Sequence, residues 1–167
     1  YAAGTAVFNV LGGSLDAAYG GTGKAGDLMN AMGNTSYFNL LGGVVTANQI
    51  KATQAIGNSV LNLNGGTIVP AAATSPTNAL LAGLTAAYVY SGGATVDVSG
   101  ASLKAMVLTG LQAPTGYGLA AIATNANVGG QYIGAPVVSI SGGSGTGALA
   151  IAEVDFATGS ITNFRVV

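Results

Sequence analysis

The stretch Asn58–Val69, NSVLNLNGGTIV, decides the reading of the whole chain because versions of it recur. Upstream stand AVFNVLGGSLD (Ala6–Asp16) and SYFNLLGGVVT (Ser36–Thr46); downstream comes AYVYSGGATVD (Ala87–Asp97). Aligned on their glycine pairs, the copies share two or three apolar or aromatic residues, an Asn, two more residues, Gly-Gly and an alternating run. The pairs Gly12-Gly13, Gly42-Gly43, Gly65-Gly66 and Gly92-Gly93 are spaced by 30, 23 and 27 residues. Recurrence on this scale marks a solenoid: one such rung cannot bury its apolar side chains alone and must stack on its neighbours. In the fourth copy this alignment sets Tyr90 in place of Asn and leaves one residue fewer before the glycine pair.

Within a rung the strand period of two puts Val7, Asn9 and Leu11 on one side and Phe8 and Val10 on the other. Both sides are partly apolar, which suits a wall covered on two faces. Asn9, Asn39 and Asn62 share one rung position, so stacked rungs would align their amides in a ladder that Tyr90 terminates. The glycine pairs read as rung corners, where positive φ is tolerated and no Cβ obstructs the rung beneath.

Composition narrows the function classes. The 167 residues are 50% hydrophobic and only 5% charged, with 28 Gly and a net charge of −1. A chain so poor in Lys and Arg has no electrostatic footprint for nucleic acid, and one rich in β-branched and aromatic residues is not built for disorder. With no Cys and no His there is no disulfide framework, no thiolate or imidazole metal site and no Ser-His-Asp or Cys-His chemistry, and no cofactor is expected. Gly, Ser, Thr and Asn interrupt every apolar run short of the roughly 18 residues that a membrane span requires. The sequence begins at Tyr1 without a signal-like leader, as a processed chain or part of a longer one would.

Unequal spacing implies insertions between rungs. Ala17–Asn34 reads as a Gly-rich loop with a helical turn over Asp27–Met32. Thr46–Ile56 fits a brief helix or a further strand pair, and Ser75–Leu84 a short helix with Ser75 as N-cap and Pro76 at its first position. Val98–Ala113 reads as a last turn, with Val98, Leu103, Met106 and Leu108 in the core. The break Pro114-Thr115-Gly116 sets a boundary between a solenoid, 1–113, and a small module, 114–167. The module reads as two hairpins with Gly-containing turns. Its last strand, carrying Phe164, Val166 and Val167, stops without a polar tail, so either the natural chain continues or a neighbour covers this candidate assembly strand.

The segments LNLNGGTIVPAA (Leu61–Ala72), LLAGL (Leu80–Leu84) and TAAYVYSGGATVDVSG (Thr85–Gly100) resemble the autotransporter-associated β-strand repeat of large bacterial surface proteins. The tail from Tyr132 to Val167 is similar to a Gly-rich β module found beside such repeats. The resemblance covers the chain from about Asn58 onward; before that only the two rung motifs match. It departs at the end, where the module's usual Gly-x-Gly-Tyr continuation is missing. What it implies is an extracellular or cell-surface, right-handed parallel β-helix used as a stalk, adhesin or fibre, with no catalytic residues to carry over.

Other candidate sites give way to plainer readings. GGTGKAGD (Gly20–Asp27) lacks the first Gly of a phosphate loop, where Ala18 stands, and Ala25 replaces the Ser or Thr after Lys24. GGSGTG (Gly142–Gly147) has no helix after it and reads as a hairpin loop. Asp16 and Asp97 occupy equivalent rung positions but lie about 14 Å apart at ~4.8 Å per layer. Glu153 and Asp155 share a strand face at about 7 Å, within the range of an inverting glycosidase pair or a weak Ca²⁺ site, though such pairs usually face solvent. Tyr88 and Tyr90 share a strand face and form a candidate glycan platform.

The expectation is therefore an all-β protein, a right-handed parallel β-helix of four or five rungs followed by a small antiparallel β module. Its expected function is non-enzymatic and structural: a subunit of a surface fibre polymerised head to tail through inter-subunit β pairing or rung stacking. The alternative is an adhesive or carbohydrate-binding segment of a larger autotransporter-like passenger.

Overall fold

The computed structural model describes residues 4–17, 27–28, 35–52, 57–71, 77–100, 104–116, 118–119, 121–123 and 129–167. Among them every regular element is a β-strand. The chain divides into two units, Tyr1–Ala113 and Pro114–Val167.

The first unit is a parallel β-solenoid with three strands per turn. Turn one holds β1 (Thr5–Val10), β2 (Ser14–Asp16) and β3 (Asp27–Leu28). Turn two holds β4 (Thr35–Leu40), β5 (Val44–Ala47) and β6 (Gln49–Lys51), and turn three β7 (Asn58–Leu63), β8 (Thr67–Pro70) and β9 (Leu81–Ala82). A fourth turn thins out: β10 (Ala86–Val89) and β11 (Thr95–Val96) are strands, while the third side is a single parallel bridge from Val107 to Leu81. The two-residue β12 (Leu111–Gln112) then adds a fifth layer to the first wall alone. The walls are thus sheets of order β1-β4-β7-β10-β12, β2-β5-β8-β11 and β3-β6-β9. The expected four or five rungs resolve into three complete turns and a partial continuation.

Because every pairing in this unit is parallel and in register, equivalent residues stack into columns. One core column runs Phe8, Phe38, Leu61, Ala87, Leu111, and a second Val10, Leu40, Leu63, Val89. The second wall contributes Leu15, Val45, Ile68, Val96, and the third wall Ile50, Leu81, Val107. In the middle turns Leu40, Val45, Ile50, Leu61 and Ile68 are wholly buried. Each such aliphatic side chain stabilises by about 1.5–3 kcal/mol relative to exposure, so the core exists only where one turn covers another.

The glycine pairs do turn the corner between the first and second walls. In every copy the second glycine has positive φ: 73° at Gly13, 78° at Gly43, 82° at Gly66 and 65° at Gly93. Stacking adds a steric demand at Gly43, where a Cβ would lie 2.5 Å from the Gly13 carbonyl oxygen. The corner is therefore both left-handed and too close to its neighbour for a side chain.

Four local expectations need correction. The fourth copy places Tyr88, not Tyr90, in register with Asn62. The offset from turn three is 26 residues on the first wall (Asn62 to Tyr88) but 28 on the second (Thr67 to Thr95), so the extra residues sit at the corner. Second, the helix expected over Ser75–Leu84 is absent from its described part: Leu81–Ala82 is β9, and Gly83, with φ 66°, runs so close to Ala52 that a Cβ would overlap its carbonyl oxygen. Third, Asp27–Leu28, expected in a helical turn, is β3, while Met32 lies outside the described residues; of the two readings open for Thr46–Ile56, its described part takes the strand one, as β6. Fourth, Val98 and Leu108, expected in the core, are 43% and 57% exposed, because no complete turn covers them; Leu103 is outside the described residues.

Among its described residues the second unit holds one antiparallel hairpin, β13 (Ala150–Asp155) with β14 (Ser160–Val166), in place of the two expected; the segment expected to open the other lies partly outside them. Tyr132–Ser141 forms no strand, in keeping with Gly134 and with Pro136, which has no N–H to donate to a ladder. The hairpin turn is tied by Asp155, whose carboxylate accepts from Ala157 N–H at 2.9 Å and Thr158 Oγ1 at 2.9 Å.

The corner geometry predicts a graded series in denaturant unfolding. Gly12→Ala, where a Cβ meets nothing within 4 Å, should change stability by no more than about 0.5 kcal/mol. Gly43→Ala should cost about 2–4 kcal/mol, combining left-handed strain with backbone overlap. Equal midpoints for the two variants would contradict the stacked corner.

Candidate functional site

The most ordered polar feature of the solenoid is a line of amides along the first wall. Asn9, Asn39 and Asn62 are in register, and the column continues through Tyr88 to Gln112. Asn39 Nδ2 donates to Asn9 Oδ1 at 2.6 Å, and Asn62 Nδ2 to Asn39 Oδ1 at 2.7 Å. Tyr90, beyond Tyr88 at the corner, donates its hydroxyl to Asn62 Oδ1 at 3.3 Å. All three bonds run in one sense, from Tyr90 toward Asn9. Asn39 and Asn62 are buried, and burial is tolerated because each amide has both a donor and an acceptor in the stack. At the lower end Asn9 accepts from Asn39, and its own side-chain N–H groups have no partner among the described residues.

Tyr90 thus ends the ladder by reaching back from the corner, while Tyr88 holds the Asn position. Both phenols are half-buried. Burial, with a smaller contribution from Tyr88 nearby, pushes the Tyr90 hydroxyl up to about 12. A second polar line supports the same wall: Ser36 Oγ donates to Ser59 Oγ at 3.2 Å, and Ser59 N–H to Thr85 Oγ1 at 3.0 Å.

Several core columns end in residues more exposed than their middle, although Val10, which ends the second column at β1, is buried. One core column terminates in Phe8 and Leu111, which are 50% and 52% exposed, and two others in Val96 and Val107, each 39% exposed. Inside these columns Phe38, Leu61, Ala87, Val45, Ile68, Ile50 and Leu81 are buried. Phe8 and Val96 lie within quoted rung copies, but Leu111 was missed by motif reading, because Leu111-Gln112 has no Gly-Gly pair after it to announce a rung. Only the register reveals it.

Asp16 and Asp97 fall in one column, since Asp16 aligns with Thr46 and Val69 and Asp97 follows the pair Val96–Ile68, but three layers separate them. Hydrogen bonds from Ser99, side chain first, hold Asp97 below the usual carboxylate range, and those from Ala157 and Thr158 do the same for Asp155. Glu153 accepts from Asn163 Nδ2 at 3.1 Å and lies 3.8 Å from Arg165 Nε. Asp97, Glu153 and Asp155 are thus each engaged locally, and Asp97 and Asp155 are lowered, the opposite of what a general acid needs. No group of three or more metal-ligating side chains occurs among the described residues.

Residues 20–26 of the phosphate-loop candidate lie outside the described residues, and Asp27 belongs to β3. Gly142–Gly147 is a loop in which Thr146 bridges Thr115. In the second unit Phe164 and Val166 pair with Ala152 and Ala150, and Val167 N–H donates to the Leu149 carbonyl at 2.9 Å. The far edge of β14 carries no strand among the described residues. No helix among the described residues is long and apolar enough to cross a membrane.

No protein-family model, curated protein or solved structure matches the chain.

The Tyr90 bond predicts a pH dependence. Its hydroxyl is neutral in both states below pH 10, so its contribution is complete there; as pH rises from 10 toward about 12 the unfolded chain ionises first and that stability is lost. Discounted for partial exposure, the loss is about 1 kcal/mol. Thermal unfolding should therefore weaken more over this window in the wild type than in Tyr90→Phe. Parallel curves for the two proteins would remove Tyr90 from the column.

Proposed function

We propose that this chain is a non-enzymatic structural protein of the extracellular or cell surface, whose solenoid is extended end to end by further copies into a fibre. The observation that carries the reading is the exposure of Phe8, Leu111, Val96 and Val107, the terminal members of three core columns, against buried neighbours in the same columns. Large apolar side chains left half-exposed at a strand edge favour a further layer. The 5% charge content adds support, because it supplies little repulsion between copies. So does the resemblance of Leu61–Gly100 to surface-protein repeats.

The alternative, a carbohydrate-binding segment, has less support: the platform it needs is compromised by Tyr90, whose hydroxyl is engaged with Asn62. An enzymatic reading has less still, given the separate commitments of Asp97, Glu153 and Asp155.

Sedimentation tests the proposal. The wild-type chain should grow with concentration into species larger than a monomer, and Phe8→Lys or Leu111→Lys, at exposed positions, should weaken that association. A central apolar contact contributes at least about 2 kcal/mol, or about 30-fold in Kd. A wild-type chain that stays monomeric at every concentration overturns the proposal.

A further inference from the structure

We propose that the edge of β1 that carries no strand among the described residues seats the β12 edge of a second copy of this chain, in a parallel register that sets Phe8 on Leu111 and Asn9 on Gln112. The joint rests on the end-to-end reading above and adds to it the strands, the register and the polar contact. Three separate matches between the two edges support it.

The first match is between side chains. Phe8 and Leu111 are the two ends of one core column, each about half exposed. Phe8 already stacks on Phe38, with centroids 5.5 Å apart and planes 11° from parallel, so its other face is the one left uncovered. Neither strand carries a charge that would oppose the approach. The second wall ends one layer lower, at β11, so the first wall makes the joint.

The second match is in backbone phase. In a parallel ladder, alternate residues turn both N–H and C=O to the same neighbour. The carbonyls of Gly4 and Val10 accept from Thr35 and Leu41, so even-numbered residues of β1 face β4 and the backbone groups of Thr5, Val7 and Asn9 face the open edge. At the other end, Tyr90 N–H donates to the Leu63 carbonyl, which turns the even-numbered residues of β10 to β7 and Ala87 to β12; Thr85, in the bend before β10, donates to the Ser59 carbonyl out of this phase. Since Ala87 pairs with Leu111, it is Leu111 that directs its own N–H and C=O outward. In the proposed register Leu111 N–H donates to the Val7 carbonyl and Asn9 N–H to the Leu111 carbonyl. A slip of one residue breaks this phase and turns Asn9 toward the core face.

The third match is in the amide column. Asn9 has unpartnered side-chain N–H groups among the described residues, and Gln112, exposed at the top of the same column, offers an Oε1 acceptor. A bond from Asn9 Nδ2 to Gln112 Oε1 runs in the same sense as the bonds from Tyr90 to Asn62, Asn39 and Asn9. A slip of two residues preserves phase and facing but abandons this bond.

The chain has no cysteine, so engineered thiols read the register directly. Across the joint Val7 falls opposite Gly110, about 4.8 Å away, within the roughly 4.4–6.8 Å that a disulfide spans between Cα atoms. A Cβ at Gly110 meets nothing within 4 Å. Mixing full-length Val7→Cys with full-length Gly110→Cys and oxidising should give about tenfold more disulfide-linked dimer than mixing Thr5→Cys with Gly110→Cys, whose thiols are two residues out of step. Independently, Gln112→Leu should weaken association about tenfold by leaving the Asn9 amide unpaired. Equal or greater linkage in the out-of-step pair, or unchanged association of Gln112→Leu, overturns the register while end-to-end assembly stands. Absence of linkage in both pairs, together with a wild type that does not associate, overturns both.

Discussion

A single turn of this solenoid has no core of its own, so registry between turns is the constraint on which the rest depends. Leu40 is buried because Val10 and Leu63 lie in line with it, and Ile68 because Val45 and Val96 do. A slip of one residue would turn every such side chain to the opposite face. Two devices resist it. The buried Asn39 and Asn62 amides are satisfied only when their column is intact, and leaving such a group unpaired costs about 1–3 kcal/mol. At the corners, Gly42 and Gly43 approach the turn beneath so closely that a side chain at either would overlap its backbone. Apolar burial supplies most of the stability; the polar column and the glycines select the register.

The parallel solenoid was legible in the sequence because its first two walls carry a long alternating run on either side of a glycine pair. The shared position of Asn9, Asn39 and Asn62 was visible for the same reason. The third wall was legible only as one of two readings for Thr46–Ile56, which holds β6. Its strands, Asp27–Leu28, Gln49–Lys51 and Leu81–Ala82, are two or three residues long, too short for alternation to register, and Leu80-Leu81 beside Ala82 looks helical. What makes that segment a strand is tertiary: Gly83 passes against Ala52, and Leu81 pairs with Ile50. The fourth copy misled for a different reason. One residue is added on each side of its glycine pair, which shifts the pair relative to both walls, so the motif reading named Tyr90 where the backbone places Tyr88.

The same distinction governs the functional reading. Motifs pointed to the repeated interior, whereas the groups proposed to act are at the ends, where the repeat stops: Phe8 and Asn9 on one edge, Leu111 and Gln112 on the other. Nothing in the local sequence of Leu111 and Gln112 marks them out. They become conspicuous only once the register sets them at the ends of columns whose middle members, Phe38, Asn39, Leu61 and Asn62, are buried. The proposed assembly therefore uses no chemistry beyond that which holds one turn to the next, and a joint between copies would be one more layer of the same wall.

The decisive measurement is electron cryo-microscopy of the concentrated full chain. Filaments are expected in which the layer spacing of about 4.8 Å along the first wall continues without interruption from one copy into the next. Separate particles at every concentration, or filaments whose subunits meet through surfaces other than the ends of that wall, would contradict it.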